Sequence, residues 1–138
     1  MGWRTVVARL VYGRRARRAI AKARADLAAV DLGTSVARRT AVPLAPRQRP
    51  VRLRALASAV RAELARQGET GPCLPCALAL LGEARLMGFA PALVIGIRRG
   101  GSKAESHAWL ERDGRVFLED PTTPDRYERI AVLATEDR

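Results

Sequence analysis

The sequence predicts an α+β domain, with helices first and a small antiparallel sheet after them. Three observations lead there. Apolar residues recur at helical spacing up to about residue 87, and the pattern then changes to short branched apolar runs. Between two of those runs stands Asp113-Gly114, a strong two-residue hairpin signal.

The helical part divides into three. Val6, Val7, Leu10, Val11, Ile20 and Leu27 fall near helical spacing with arginines on the other faces, which predicts helix over 3–30, with Gly13 as a point of division. Residues 31–50 read as a connector: Gly33, Thr34 and Ser35 are followed by Pro43, Pro46 and Pro50, and proline favours extended or turning chain. Leu53, Leu56, Val60 and Leu64 predict a second helix over 51–67, stopped by Gly68. The run Gly71-Pro72-Cys73-Leu74-Pro75-Cys76 opens a third, over 73–87, in whose first turn a proline is tolerated. That helix is apolar nearly all round, so it is expected at the centre of the fold.

The strands follow in order. Ala92 to Ile97 is short, branched and apolar, and Arg98-Arg99-Gly100-Gly101 closes it. His107 to Arg112 and Arg115 to Asp120 flank the hairpin turn, Pro121 stops the second of them, and Tyr127 to Leu133 adds a fourth strand at an edge. The expected organisation is a basic helical region with a proline-rich connector over 1–50 and a core that carries the chemistry over 51–138.

Charge is unevenly placed. Residues 1–68 hold 16 basic and 3 acidic side chains, whereas residues 69–138 hold 9 and 11, within a net charge of +11. A basic half suits nucleic acid, a membrane surface, or an acidic protein or peptide. Two cysteines do not make a disulfide framework. No stretch approaches the ~20 apolar residues that cross a bilayer. The start, Met1-Gly2-Trp3-Arg4, lacks the order of a signal peptide, so the expectation is a cytoplasmic chain with reduced thiols.

Three side chains form a candidate constellation. Cys73 opens the central helix, His107 begins a strand 34 positions later, and Asp120 ends the partner strand 13 positions after that. A thiol is a weak nucleophile until ionised, and the free N–H groups and dipole of a helix start favour the thiolate. A nearby imidazole lowers the thiol pKa further and can protonate a leaving amine, and it needs an acceptor on its other nitrogen. Pairing about Asp113-Gly114 matches residues whose numbers sum to 227, so His107 faces Asp120, and Glu119 points to the opposite face of the sheet.

The run Cys73-Leu74-x-x-Ala77-Leu78-Ala79-Leu80, then Leu86 to Gly88, Ala92 to Gly96, and His107-Ala108-Trp109-Leu110-Glu111 with Asp113-Gly114, resembles the lasso-peptide leader peptidases. These are the stand-alone form of a cysteine peptidase domain with a transglutaminase-like fold, and the likeness covers about residues 50–133. The resemblance implies a Cys-His-Asp triad, carried here to Cys73, His107 and Asp120, with Glu119 as the alternative acid because members commonly have two adjacent polar or acidic residues there. It implies a ribosomally made precursor peptide as substrate, cut between leader and core without a metal or other cofactor. It also implies two partners: a leader-recognition protein that delivers the peptide, and an ATP-dependent cyclase that closes the macrolactam. Members often carry a basic residue three positions after the nucleophile, where this chain has Cys76.

Other readings of the same residues stand beside this one. Cys73-x-x-Cys76 also spells a redox motif, but that motif expects a strand feeding straight into it, and here a helix and a polar turn precede. Zinc needs four ligands, which two cysteines and the sole histidine do not supply. Nucleic-acid binding is the main non-enzyme reading; the chain has no recognised motif for it and few aromatics for stacking, and the expectation is no nucleic acid. The basic N-terminal half reads either as a solvated face or as a docking surface for a partner, a leader peptide or a membrane. Trp109 lies on the face of His107 and suits either a cleft wall or the core; Gly96 permits close packing; Gly100-Gly101-Ser102 reads as a loop; Gln67 is a weaker oxyanion candidate than the backbone N–H groups around Cys73.

Overall fold

A computed structural model describes residues 2–68, 73–100 and 102–133. The chain forms α1 (Trp3–Ala29), α2 (Leu32–Thr40), α3 (Pro50–Arg66) and α4 (Cys73–Leu86), then β1 (Ala92–Gly100), β2 (Lys103–Arg112), β3 (Arg115–Phe117), a short 3-10 turn at Thr123–Asp125, and β4 (Glu128–Leu133). The strands make one antiparallel sheet in the order β3-β2-β1-β4. This is the α+β architecture expected from the sequence.

Leu78, Leu80, Leu81 and Ala84 of α4 are buried, and the helix packs on α1, α2, α3, β1 and β2. An apolar surface over most of its circumference drives it inside, since each fully buried leucine contributes about 1.5–3 kcal/mol relative to exposure. Leu53, Leu56, Val60 and Leu64 of α3, Ala16, Ile20 and Ala23 of α1, and Leu93, Ala108 and Leu110 of the sheet complete one continuous core. The N-terminal helices thus share the core of the rest of the chain.

Polar contacts fasten the helices. The buried Arg39 guanidinium donates to Asp26 at 2.6 Å, to Ser35 and to the carbonyl of Leu78, tying α2 to α1 and α4. Arg15 meets Glu83 of α4 at 2.6 Å. The carboxyl of Glu63, almost fully buried, is held down to about 2, first by the hydrogen bond from Arg66 and with help from Gln67 and Arg17. Part of the basic N-terminal half is therefore structural rather than a free charged face.

Several expectations are corrected. α1 runs unbroken through Gly13. The presumed connector contains α2, because Asp31 accepts from the Thr34 N–H at 2.8 Å and caps a helix start that the polar composition disguised. β1 extends to Gly100 and β2 starts at Lys103, so the two form a tight hairpin before His107; Gly101 lies outside the described residues, as do Gly71 and Pro72. β3 ends at Phe117, three residues early, because Leu118 takes a left-handed φ of 64° and leaves the ladder.

Candidate active site

β3 and β4 lie at opposite edges of the sheet, so the segment between them must cross over β2 and β1. That crossing builds the site. It carries Glu119 and Tyr127 to His107, which projects from β2 on the same face as Trp109. The imidazole stacks on Tyr127 at 5.1 Å between ring centroids and on Trp109 at 5.8 Å. Two aromatic neighbours leave the ring few rotamers, which holds it for its polar partners.

Gly96 makes that stack fit. A Cβ there would stand 2.5 Å from the Trp109 ring and 2.9 Å from Cβ of Tyr127. Only a residue without a side chain lets both aromatics close over β1 at this point. The ladder between β1 and β4 also shifts register between Ile95 and Gly96, at the same point. Trp109 is both cleft wall and core: it is 1% exposed, and its indole N–H donates to Glu111 at 2.6 Å, with Arg129 on the same carboxylate.

Cys73 is the first residue of α4 and is half-buried. Its sulfur lies beside His107 and the backbone N–H groups of Leu74 and Ala108, all of which favour the thiolate. Because β3 is short, β2 has no described partner strand past Leu110 on that edge, and the Ala108 N–H is free for the thiol. His107 Nε2 lies 3.0 Å from both carboxylate oxygens of Glu119, which leaves Nδ1 for the sulfur. The His107 contact pulls the thiol pKa below its ordinary value against the opposing effect of burial. The same contact, with Glu119, pushes the imidazole up to about 9. Thiolate and imidazolium are thus favoured together. Cys76, one turn along, behaves oppositely: burial pushes its thiol up.

Asp120 does not meet His107, contrary to the extrapolated register. The observed pairs Leu110–Phe117, Glu111–Val116 and Arg112–Arg115 do sum to 227, but the turn at Leu118 ends the alternation before residue 120. Glu119 swings in as a result. Asp120 faces outward, accepting from the N–H and hydroxyl of Thr122 and pairing with Arg126 at 3.1 Å. Gln67 also lies elsewhere in its contacts, bonded to Glu63 and Arg24.

The cleft over these groups has a volume of about 460 Å³. Leu64, Leu80, Trp109, Phe117 and Tyr127 wall it, with Arg61 at its rim. Tyr127 and Arg61 were not singled out from the sequence as site residues. Nothing local marks them, since each reaches the site only through the crossing segment or the packing of α3. Among the described residues, no group of three or more His, Cys, Asp and Glu side chains is placed to hold a metal ion. No described helix is long and apolar enough to cross a membrane.

A helix-borne thiol packed against a sheet-borne imidazole, with an acid on the far ring nitrogen, defines the class as an α+β thiol–imidazole fold. The family model of the Transglutaminase-like superfamily matches residues 3–132, and the chain belongs to that superfamily, which includes cysteine peptidases. Comparison with the curated proteins and with the solved structures gave no significant match.

Proposed function

We propose that the chain is a cysteine peptidase that removes the leader from a ribosomally made lasso-peptide precursor, with Cys73 as nucleophile, His107 as acid and base, and Glu119 as the acceptor that orients the ring. The observation that carries this is that Cys73, at the start of a buried helix, lines one open cleft with His107, whose ring is bonded to Glu119 and favours the thiolate. The superfamily supports a peptidase; the sequence runs around Cys73 and His107 support the lasso-precursor substrate.

The reaction is acyl transfer to water. The Cys73 thiolate attacks the last leader carbonyl, forming a C–S bond and an oxyanion. Free backbone N–H groups at the start of α4 are the donors for that charge. The intermediate collapses, the C–N bond breaks, and imidazolium His107 gives its proton to the departing amine. Neutral His107 then takes a proton from water, whose oxygen attacks the thioester and releases the leader carboxylate and the thiol. Glu119 keeps the ring in the required tautomer and stabilises its charged form.

The proposal includes a leader-recognition protein and an ATP-dependent cyclase as partners. α1 offers a surface for one of them. Ala8, Ala16, Ala19, Ile20 and Ala23 bury one face of that helix. Trp3, Val6, Val7, Leu10 and Val11 lie on the other side and stay exposed, Trp3 at 73% and Leu10 at 80%. An apolar strip of this kind marks an interaction surface, and we assign it to the recognition protein.

The test is cleavage of precursor by purified protein with the recognition protein, followed by mass spectrometry. Cys73→Ala and His107→Ala should abolish the cut, while Cys76→Ala should keep much of it. Equal loss from both cysteine changes would contradict the assignment and favour thiol-redox chemistry.

A further inference from the structure

Beside the cleft lies a second groove of about 720 Å³, bounded by α3, the β2–β3 hairpin and the start of the crossing segment. The two share Arg61, Phe117 and Glu119 in their linings, so one continues into the other. The second groove is basic, with Arg54, Arg61 and Arg112 along it. Its two acids are already engaged, Glu119 by His107 and Asp120 by Arg126 and Thr122.

Arg112 is held in an unusual way. Its guanidinium carbon stands 5.0 Å from the centroid of the Phe89 ring and 5.5 Å from that of Phe117. The two aromatics fix the guanidinium by cation–π contact. Its Nε is buried with no acceptor among the described residues. Among the described residues, neither Arg112 nor Arg54 makes an ion pair or a side-chain hydrogen bond. Arg61 donates to the carbonyl of Leu118, which fixes it at the junction of groove and cleft. A guanidinium oriented by aromatic rings, with its terminal nitrogens uncommitted, is a receptor for a planar anion, and a carboxylate matches it in a bidentate pair.

We propose that this groove is a specificity site for an acidic side chain of the peptide substrate, with Arg112 as the main carboxylate receptor and Arg54 assisting. That the ligand is a peptide rests on the peptidase reading. The apolar faces of Phe89 and Phe117 line the groove beneath the charge, so it selects a carboxylate on an aliphatic stem, as in glutamate or aspartate, rather than a bare anion.

The test uses the purified 138-residue chain and a rhodamine-labelled alanine peptide carrying two glutamates, against its glutamine counterpart, by fluorescence anisotropy. The glutamate peptide should bind at least about tenfold more tightly, the scale of one charge-assisted bidentate pair. Arg112→Gln and the exposed Arg54→Gln should each reduce that preference. Arg18→Gln, which removes the same charge from α1, should leave it within about twofold. Bound glutamate peptide should also slow iodoacetamide labelling of Cys73. The proposal is overturned by equal binding of the two peptides, or by an equal loss in Arg18→Gln, which would reduce the effect to net charge. Labelling without peptide reads the thiol separately. Fast labelling of Cys73 with no glutamate preference sinks the groove and leaves the peptidase reading standing. Labelling of Cys73 no faster than of Cys76 sinks the peptidase reading whatever the peptides do.

Discussion

Both carboxylate oxygens of Glu119 lie 3.0 Å from Nε2 of His107, while the next residue, Asp120, turns its carboxylate to Thr122 and Arg126. The left-handed residue immediately before them, Leu118, decides which acid faces the imidazole. The two acids should therefore separate cleanly by mutation. Glu119→Gln should lower kcat/KM for precursor cleavage on the order of 10²-fold, within the range for general acid–base groups. Asp120→Asn should change it by less than about threefold, because its loss leaves the imidazole contacts intact. The reverse ranking in a steady-state assay would return the role to Asp120.

The thiol–imidazole pair predicts a bell-shaped pH profile. His107 must be protonated to release the amine, so the alkaline limb falls near its pKa of about 9. The acid limb falls at the lowered pKa of Cys73. For stability the signs are opposite. The raised pKa of His107 contributes fully below its unfolded value of 6.5 and is lost as pH rises through about 9. The lowered pKa of Cys73 contributes above its unfolded value of 9.0 and is lost as pH falls through the folded value. In Cys73→Ala, NMR titration of the sole histidine should show a pKa below about 9 but still above 6.5, since Glu119 remains. An unchanged titration would show that the thiol does not act on the ring.

Gly96→Ala should be costly for its size. The added methyl stands 2.5 Å from the Trp109 ring, and Trp109 is buried with its indole fixed to Glu111, so the ring cannot simply yield. A loss of about 1–3 kcal/mol is expected in chemical denaturation, the usual scale for overpacking. Activity at a temperature where the variant is folded should also fall, because the same rings hold His107. A variant as stable as the parent would show that β1 can shift freely beneath them.

The exposed strip of α1 should be silent in the isolated chain. Leu10→Asp should change unfolding free energy by no more than about 0.5 kcal/mol, as for other surface sites. It should weaken binding to the recognition protein at least about tenfold in titration calorimetry, the scale of losing one well-buried apolar anchor. Undiminished binding would remove the strip from that interface. Co-sedimentation with anionic vesicles, lost in the same variant, would assign it to a lipid surface instead.

Much of the fold was legible because it rests on local chemistry. The leucine spacing of α3, the largely apolar α4, the branched run of β1 and the Asp113-Gly114 turn each carry their own signal, and the turn set the β2–β3 register correctly as far as Phe117. α2 was missed because a capped start beside Gly33 and several polar residues reads like a loop. Cys73 could be picked from sequence because it stands at the start of a readable helix, and His107 because it lies on the strand that leads into the Asp113-Gly114 turn, although that strand begins four residues earlier than expected.

By itself the sequence determined the helices-then-sheet order, the thiol at a helix start, and the placing of His107 on the strand that pairs with the hairpin. Tertiary structure alone chose Glu119 over Asp120, brought Tyr127 onto the imidazole, and turned Arg112 into an uncommitted cation over two aromatic rings. The physical reason is reach. Periodicity and turn chemistry act over a few residues, whereas these choices follow from one backbone turn at Leu118 and from a segment that must span the sheet between its two edges.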